Sequence, residues 1–481
     1  MIVTTFKSNS VILKKILDIR PLYSAVRQNS QNVEDILCLR GEKESYNFKE
    51  KYRVLDEKDY FRFFSKRSMK REPALTRSLT SMVYKIGKQM ISLAEGMPNE
   101  GTFPFNHLEM NLKSGSKLVL EEQELAKALQ YLPSQGLPDL LKLLRELQQD
   151  LHCPPSLDRD VIVTNGAQHG IYQCFDMFVD PGDPVITTEY TFTGANSALR
   201  PYDPELLAIP EDDFGLIPET LEAVLEERSS RGLKMPRVMY LIPTGNNPTG
   251  TILPAWRRKR IYELACKYDF LIIEDDPYAF LYYSQEKVPS FLSMDQCGRV
   301  IRLDSVSKVI CAGLRGAWMT APSSIIERAE LHSQSELLHS CTLSQVILHR
   351  LISQRSDLAA HIHSARSFYE RRCTALGTAL RSLSHLAHWV EPKAGLFYWL
   401  RLQGISDVHN MTFRTALEHG LMLCPGQAFQ YEHSAPSQHL RLTFTRIKLD
   451  DIETAVRRLA EVIQIEQKLQ EREPQRLATE R

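Results

Sequence analysis

The sequence predicts an α/β protein, with a large domain in which helices cover both faces of a mostly parallel sheet, followed by a smaller α+β domain. Short apolar runs separated by helical sequence support the large domain, and they lie at 160–164, 184–187, 238–242, 270–273 and 300–303. Continuous apolar runs of this length are typical of strands covered on both faces. Beyond about residue 353, mixed helix and strand patterns that include 394–399 and 439–444 indicate the smaller domain.

The composition is that of an ordinary globular protein, with 481 residues of which 43% are hydrophobic and 25% charged. Basic and acidic residues balance at 59 each, so the global charge predicts neither nucleic acid nor a membrane surface as a partner. No apolar run approaches the roughly 20 residues of a membrane helix. The nine cysteines show no CxxC or Cys/His spacing, which predicts reduced thiols that fill the core and no metal site.

The amino terminus differs from the rest of the chain, because its first 33 residues contain five basic residues and only one acid, Asp18. A mitochondrial transit peptide and a poorly ordered tail explain this pattern equally well. We therefore expect a cytoplasmic protein, with the mitochondrion as the alternative. The predicted divisions are an extension or linker at 1–59, an arm with part of the small domain at 60–104, the large domain at 105–352 and the carboxyl-terminal small domain at 353–481.

Polar residues follow the carboxyl ends of several apolar runs, which is where open α/β sheets bind ligands. After 300–303 come Ser305, Ser307 and Lys308, and Arg315 stands seven residues beyond the lysine. A lysine amine can attach to an aldehyde cofactor and then move a proton on the substrate. The two hydroxyls and the forked guanidinium of Arg315 suit a phosphate. Alone, this spacing is only suggestive, because most lysines are surface charges.

Two upstream segments provide what pyridoxal phosphate needs at its ring. Asp275 directly follows an apolar run and is suited to keep the ring nitrogen protonated, with Asp276 as the competing choice. Asn247 and Tyr278 are suited to donate hydrogen bonds to the phenolic oxygen, although 247–250 alone would be an ordinary turn. The three segments together predict pyridoxal 5'-phosphate as the cofactor, with Lys308, Asp275 and Tyr278 as the catalytic residues.

The cofactor phosphate needs several donors, preferably at a helix amino terminus. Gly166, Ala167 and Gln168 lie at a predicted strand-to-helix junction and offer backbone N–H groups and a side-chain amide. Phe192 could stack on the cofactor ring or simply belong to the core. Arg441 lies between apolar residues and could pair with a substrate α-carboxylate, or it could be an edge charge; its burial would decide, because a buried cation must be paired.

The chain resembles fold-type I aminotransferases that depend on pyridoxal phosphate, and among them the kynurenine/2-aminoadipate and eukaryotic aromatic amino-acid aminotransferases. The similarity runs from about residue 60 to 462 and includes 91–99, 103–105 and 128–131 in addition to the cofactor segments. It implies the same roles for the residues named above. It further implies that Tyr131 reaches the phosphate of the neighbouring subunit of a homodimer, and that Gly96, Asn247 and Arg77 contact substrate.

Two positions depart from these relatives. Glu95 stands where they commonly have glycine, and Ala167 replaces a serine in the phosphate site. The lost hydroxyl should weaken phosphate binding by about 1 kcal/mol. If the Glu95 carboxylate faces the pocket, it would favour basic or neutral substrates over acidic ones.

The expected reaction is a two-stage amino transfer. An aromatic, kynurenine-like or 2-aminoadipate-like L-amino acid would be the donor, and a 2-oxo acid such as 2-oxoglutarate would be the acceptor, both by resemblance. The alternatives are a lyase or decarboxylase with the same cofactor and a specialised biosynthetic transaminase, since fold alone does not fix the reaction. A ligand-sensing regulator is less favoured, because residues 1–59 show no DNA-binding pair of helices.

Overall fold

The computed structural model describes residues 47–86, 93, 96–284 and 287–479. The basic amino-terminal segment and Glu95 lie outside these residues, so the predictions of a transit peptide and of a pocket-facing Glu95 carboxylate stay open.

Helices and strands alternate through the middle of the chain, as the sequence predicts. The helices are α1 (Phe48–Lys51), α2 (Lys66–Met69), α3 (Leu75–Ile86), α4 (Glu122–Ala128), α5 (Pro138–His152), α6 (Ala167–Phe178), α7 (Thr193–Leu199), α8 (Pro218–Ser230), α9 (Ala255–Tyr268), α10 (Phe291–Met294), α11 (Ser323–Glu336), α12 (Thr342–Ser353), α13 (Arg355–Leu380), α14 (Ala416–Glu418) and α15 (Ile452–Thr479). The strands are β1 (Leu108–Asn111), β2 (Lys117–Leu120), β3 (Arg159–Asn165), β4 (Pro184–Thr188), β5 (Glu205–Ile209), β6 (Glu211–Asp212), β7 (Gly215–Leu216), β8 (Val238–Leu241), β9 (Leu271–Asp275), β10 (Val300–Ser305), β11 (Gly316–Pro322), β12 (Ala387–His388), β13 (Phe397–Leu402), β14 (Cys424–Pro425) and β15 (His439–Thr443).

The large sheet has seven strands in the order β3-β11-β10-β9-β8-β4-β5. Neighbouring strands from β10 to β5 are parallel, whereas β11 runs antiparallel to both β10 and β3. Strand β3 therefore points the same way as β10. The carboxyl ends of β3, β8, β9 and β10 and the start of β11 all lie at one edge of the sheet, and the segments that follow or precede them carry the predicted cofactor residues.

The second sheet is antiparallel, in the order β12-β13-β15-β14. Phe397 pairs with Thr443 and Trp399 pairs with Arg441 in the β13 and β15 register. Because side chains alternate along a strand, Phe397 and Trp399 share one face of this sheet with Arg441. The α/β class and the mostly parallel sheet are confirmed, while the domain boundaries stay predictions.

The segment 47–64 packs against the large domain. Phe48 is buried and its ring lies 4.7 Å from that of Tyr262 on α9. The backbone N–H of Leu55 donates to the carbonyl of Cys297 at 3.0 Å, and the Tyr60 hydroxyl donates to the carbonyl of Gly298 at 2.8 Å. The described part of the predicted linker is thus held by specific hydrogen bonds.

The eight cysteines in the described part of the chain are all unpaired. Cys311 and Cys341 are exposed, so the expectation that the thiols fill the core is wrong for these two. No helix among residues 47–86, 96–284 and 287–479 has the length and apolarity needed to cross a bilayer.

A buried charge cluster joins β9 to β10. Arg302, the single charged residue in the last apolar run, is completely buried and pairs with Glu274 at 3.1 Å, Asp276 at 3.1 Å and Asp304 at 2.9 Å. Gln148 of α5 donates to Asp304 at 2.7 Å. A buried arginine is stable only when carboxylates and hydrogen bonds satisfy it, so this cluster fixes the two strand ends relative to each other.

Replacing Arg302 with methionine should lower the free energy of unfolding by about 3–5 kcal/mol, because it leaves buried carboxylates without their cation. Chemical denaturation of the apoprotein measures this loss. Arg457→Met on the exposed face of α15 is the matched control and should change stability by less than about 1 kcal/mol. Equal stability of the Arg302→Met variant and the wild type would contradict this role of the cluster.

Candidate active site

Asp275 ends β9 and has one oxygen available for a ligand. Its Oδ2 accepts a hydrogen bond from the Tyr240 hydroxyl at 2.7 Å, whereas its buried Oδ1 has no partner. Burial raises the pKa of Asp275 to about 7, which the Tyr240 hydrogen bond opposes. A buried carboxylate with a free oxygen is suited to a cationic N–H group, because that partner would return the charge stabilisation lost on burial.

The structure separates Asp275 from Asp276, the competing candidate. Asp276 pairs with Arg302 in the buried cluster. Asp275 instead ends β9 at the same edge of the sheet as Lys308, and its negative charge opposes the lowering of the Lys308 pKa. Successive side chains of an extended segment point to opposite faces, so two adjacent aspartates cannot share one face.

Lys308 lies three residues beyond the end of β10 and is exposed. Partial loss of water around its ammonium group lowers the pKa of Lys308, and the positive charges of Arg315 and Arg441 lower it further, against the effect of Asp275. A lowered pKa raises the fraction of the amine that is neutral. A neutral amine is the form that attacks an aldehyde or accepts a proton.

Gly166 and Arg315 form the core of an anion site at the start of α6. Gly166 has φ +82° and precedes the first turn of α6, where backbone N–H groups are unpaired within the helix. A Cβ atom on Gly166 would lie only 2.1 Å from Arg315 Nη2, so the guanidinium lies directly over the glycine. Ser305 Oγ lies 3.0 Å from Ser307 Oγ and 3.5 Å from the carbonyl of Gly316, the residue after Arg315. Helix dipole, guanidinium and hydroxyls thus suit a phosphate.

Gln168 and Phe192 border the same helix terminus. The amide of Gln168 donates to the carbonyl of Gly194 at 2.8 Å, and Phe192 is half-buried immediately before α7. A Cβ on Gly194 would overlap both Gln168 and Phe192, so these side chains crowd together. Ala167, the first residue of α6, offers its backbone N–H and no hydroxyl.

Contacts of histidine and arginine side chains with carboxylates join α6 to its neighbours. His169 Nε2 lies 3.0 Å from a Glu336 oxygen of α11, and Asp176 lies 3.2 Å from His332 Nε2. Asp176 also pairs with Arg71 at 2.8 Å. These contacts hold the helix whose amino terminus forms the anion site.

Arg441 is half-buried and held between two aromatic rings. Its guanidinium carbon lies 4.3 Å from the Phe397 ring centre and 4.7 Å from that of Phe429. One terminal nitrogen donates to Asn247 Oδ1 at 2.7 Å, while its buried Nε has no partner. The hydrogen bond and both rings distinguish Arg441 from an exposed edge charge.

The contact between Arg441 and Asn247 also orients the amide. Arginine can only donate hydrogen bonds, so the Asn247 atom that faces it must be the oxygen. The NH₂ group of Asn247 therefore points elsewhere and is available to a ligand. Tyr278, which is buried against the edge of Phe397, has a pKa raised by burial and stays a neutral O–H donor.

Three candidates lie in other surroundings. Arg77 is buried and donates to Ser134 Oγ at 3.2 Å and to the carbonyl of Leu132. Tyr131 is 43% exposed, with its ring 5.8 Å from that of His339. Gly96 is exposed, and no atom lies within 4 Å of a Cβ built on it. The structure therefore gives Arg77, Tyr131 and Gly96 no place in the group around Lys308, and their roles stay predictions.

Sequence reasoning missed three residues of the site, which are Tyr240, Phe429 and Phe397, the last lying within the 394–399 pattern. Tyr240 lies inside the β8 apolar run, where an aromatic residue predicts only core packing. Phe429 is almost fully buried, and its contact with Arg441 comes from a loop packed beside β15. No spacing along the sequence predicts the contact of Tyr240 with Asp275 or that of Phe429 with Arg441. Each contact joins residues on separate elements of the structure.

The arrangement fits the predicted cofactor. A free carboxylate oxygen on Asp275, a free amide on Asn247, an anion site at Gly166 and Arg315, and an amine on Lys308 match its ring nitrogen, phenolic oxygen, phosphate and aldehyde respectively. The first three pairings join a donor with an acceptor or a cation with an anion, and the fourth joins a nucleophilic amine with an aldehyde.

Comparison with known proteins places the chain in a family. Residues 88–459 match the family model of class I and II aminotransferases. The chain is 40% identical over 420 residues to the rat kynurenine/alpha-aminoadipate aminotransferase, a mitochondrial protein, covering 84% of this chain and 99% of that relative. It is 34% identical to aromatic-amino-acid aminotransferase 1 of Thermococcus litoralis, covering 85% and 96%.

Solved structures agree with this assignment. Aminotransferase Aro8 of Candida albicans superposes with a TM-score of 0.76 at 27% identity, covering 87% of this chain and all of that one. The kynurenine aminotransferase of Pyrococcus horikoshii, solved with pyridoxamine phosphate (PMP), gives a TM-score of 0.68 at 33% identity, covering 85% and 98%. The chain belongs to the class I and II aminotransferases, which are fold-type I enzymes. It is an enzyme that transfers amino groups with pyridoxal phosphate, so the predicted family, reaction class and cofactor are confirmed.

The Asp275→Asn variant should show how far the buried Asp275 carboxylate lowers the thermal stability of the apoprotein. The folded pKa of about 7 exceeds the ordinary value of 3.8, so the protonated Asp275 stabilises the fold at low pH and this contribution is lost as the pH rises through 7. The melting temperature of the variant minus that of the wild type should therefore increase between pH 5 and pH 8. A constant or decreasing difference would contradict the assignment.

The Gly166→Ala variant should displace Arg315 and bind the cofactor about ten- to a hundredfold more weakly, since a charge-assisted hydrogen bond contributes about 1.5–3 kcal/mol. Equilibrium dialysis of the cofactor measures this change. Gly182→Ala is the matched control, because Gly182 also has a positive φ, +75°, but open space around its Cβ position. Similar cofactor affinities in the two variants would show that Gly166 does not position Arg315.

Proposed function

We propose that this enzyme takes the amino group from an aromatic, kynurenine-like or 2-aminoadipate-like L-amino acid and gives it to a 2-oxo acid such as 2-oxoglutarate. The observation that carries the proposal is the contact between Arg441 and Asn247, which joins a carboxylate-binding cation to the cofactor-binding group. The names of the rat and archaeal relatives support the donor class.

Lys308 and Asp275 supply the acid and base chemistry of the proposal. Bound pyridoxal phosphate would supply an electron-accepting ring and an aldehyde carbon. The Asp275 carboxylate would hold a proton at the ring nitrogen, because Oδ1 is free while Oδ2 is fixed by Tyr240. Lys308, with its lowered pKa, would attach the cofactor and later carry a proton between the substrate Cα and the cofactor.

Asn247 and Tyr278 would donate hydrogen bonds to the phenolic oxygen. Ser305, Ser307, Arg315 and the amino terminus of α6 would bind the phosphate, with Gly166, Ala167 and Gln168 contributing at the turn. Phe192 would stack on the ring beside Gln168. These roles are assigned from the donors and acceptors that each group leaves free.

Arg441 would bind the substrate α-carboxylate. Its Nε has no protein partner, and Nη1 is held by Asn247, so the remaining donors can face a carboxylate while Phe397 and Phe429 fix the plane of the guanidinium. A fixed plane favours two-pronged carboxylate binding, which also fixes the substrate Cα over Lys308.

We also propose that the active unit is a homodimer. Tyr131 is 43% exposed and is the predicted contact to the phosphate of the neighbouring subunit. Arg77 and Gly96 would then contact substrate in the assembled dimer. The mitochondrial rat relative favours a mitochondrial location over the cytoplasm, which import of the full-length chain would test.

The reaction is tested by product analysis after single additions of candidate L-amino acids. Each productive donor should yield its 2-oxo acid together with stoichiometric pyridoxamine phosphate, and Lys308→Ala should yield neither. Release of ammonia or carbon dioxide without pyridoxamine phosphate would instead support the lyase or decarboxylase alternative.

The Arg441→Lys variant should reduce kcat/KM for the amino acid about ten- to a hundredfold, because lysine keeps the charge but cannot make the two-pronged contact. Steady-state kinetics with the best donor measure this, and cofactor absorbance verifies that the cofactor is bound. Arg401→Lys, on the exposed part of β13, is the control. Unchanged kcat/KM for Arg441→Lys would exclude the proposed role.

A further inference from the structure

The segment that carries Asn247 closes on itself shortly after β8. The backbone N–H of Asn246 donates to the carbonyl of Thr251 at 3.0 Å, and the N–H of Gly250 donates to the carbonyl of Asn246 at 2.7 Å. Asn246 and Asn247 are both buried. Because the two asparagines are neighbours on one short closed turn, a contact that holds Asn246 also holds the amide of Asn247.

The Asn246 side chain is held from two sides. Its Nδ2 donates to Glu211 Oε1 at 3.0 Å and to Thr249 Oγ1 at 3.0 Å, so each amide hydrogen has an acceptor. Thr249 Oγ1 in turn lies 2.9 Å from Thr251 Oγ1. The threonine belongs to the same turn as Asn246, whereas Glu211 lies 35 residues earlier in the chain. Glu211 therefore ties this turn to a separate element.

Glu211 begins a short hairpin that a buried arginine holds in place. Strands β6 and β7 pair Glu211 with Leu216 and Asp212 with Gly215. Arg257 of α9 makes a two-pronged contact with the Asp212 carboxylate, at 2.7 and 2.6 Å, and donates to the carbonyl of Gly215 at 2.8 Å. Two-pronged pairs of this kind fix geometry as well as adding stability. The hairpin thus gives Glu211 a fixed base from which its carboxyl group reaches Asn246.

The Glu211 carboxyl group lies outside the site described above. Glu211 lines a cavity of about 690 Å³ together with Thr249 and Thr251, and no residue assigned to the cofactor or the substrate is in that lining. Burial raises the pKa of Glu211 to about 8 against the hydrogen bond from Asn246, and the nearby Glu189 acts in the same direction as burial. The group is therefore mostly neutral at pH 7, and its carbonyl oxygen is the acceptor for the Asn246 amide.

We propose that Glu211 is a positioning residue of this enzyme, which holds Asn246 and through it keeps the Asn247 amide where it meets Arg441 and the cofactor. The inference rests on the proposed function, because that function gives Asn247 and Arg441 their roles. Asn247 Oδ1 accepts from Arg441 at 2.7 Å. A shift of the turn would therefore change the surroundings of the substrate-binding arginine as well as those of the phenolic oxygen.

The test uses the full-length enzyme with bound pyridoxal phosphate and compares Glu211→Ala with Glu211→Gln. Alanine removes the acceptor, whereas glutamine keeps an uncharged acceptor oxygen on a side chain of the same length. In Glu211→Ala, the pH midpoint of the cofactor absorbance change should rise by about 0.5–1 unit, because a displaced Asn247 stabilises the phenolic anion less. KM for the amino-acid donor should rise about three- to tenfold. Glu211→Gln should keep the midpoint and the KM of the wild type.

Asp213→Ala is the matched control, because Asp213 is an exposed carboxylate in the turn of the same hairpin. It should leave the midpoint and KM unchanged. If Glu211 only supports the fold, Glu211→Ala should melt at a lower temperature with an unchanged midpoint and an unchanged KM, and that result would overturn the proposal. Equal changes in Glu211→Ala and Glu211→Gln would also overturn it, because the acceptor oxygen would then not matter.

Two further measurements keep the outcome clear. If Glu211→Ala does not fold, Glu211→Met replaces it, since methionine fills a similar volume without the acceptor. Combining the variant with Asn246→Ala should move the midpoint no further than Asn246→Ala alone, because both remove one contact, and additive shifts would contradict the proposal. The absorbance midpoint needs no amino-acid donor. It therefore tests Glu211 even where product analysis of the wild type refutes the proposed donors.

Discussion

Four carboxylates lie buried at the adjoining ends of two parallel strands, with one guanidinium to neutralise them. Arg302 binds Glu274, Asp276 and Asp304 on one face, which leaves Asp275 on the other face with only a tyrosine hydroxyl as partner. Burial raises the pKa of Asp276 to about 6 and that of Asp275 to about 7. The buried carboxyl groups outnumber the buried cation, which lowers the stability of the apoprotein. A cationic ring nitrogen bound at Asp275 would offset this loss.

The rest of the site is arranged around that carboxylate by the order of the strands. Because β3, β8, β9 and β10 end at one edge, the anion site at Gly166, the amide of Asn247 and the amine of Lys308 all follow strand ends at that edge. Arg441 on the second sheet contributes to the site through its hydrogen bond to Asn247. In the proposed mechanism, the Asn247 amide would couple the substrate carboxylate at Arg441 to the phenolic oxygen of the cofactor.

The sequence predicts the strands of this site well, because apolar runs at 238–242 and 300–303 end in polar residues that the sheet brings together. Strand β11 was not predicted, since Gly316–Pro322 follows the cofactor motif and its antiparallel course depends on pairing with β3, far away in sequence. The partition between Asp275 and Asp276 also needs the structure, because it depends on which face Arg302 occupies. The sequence does contain one signal of the cluster, because Arg302 is a charged residue within an apolar run. A charge in such a run predicts a buried partner of opposite charge.

The contacts of Phe429 and the docking of residues 47–64 show the limit of local patterns. Phe429 meets Arg441 through tertiary packing of a loop, and Leu55 meets Cys297 across more than half of the chain. No spacing between these residues along the sequence predicts either contact. The role that the resemblance implies for Tyr131 involves a second subunit, and the substrate contacts implied for Arg77 and Gly96 stay predictions.

The most direct measurement is the protonation state of the cofactor ring nitrogen, observed by nitrogen-15 NMR with labelled pyridoxal phosphate in the wild type, Asp275→Asn and Asp276→Asn. A protonated nitrogen at neutral pH in the wild type and in Asp276→Asn, but not in Asp275→Asn, is the predicted result. An unprotonated nitrogen in the wild type, or loss of the proton only in Asp276→Asn, would contradict the assignment of Asp275 as its partner.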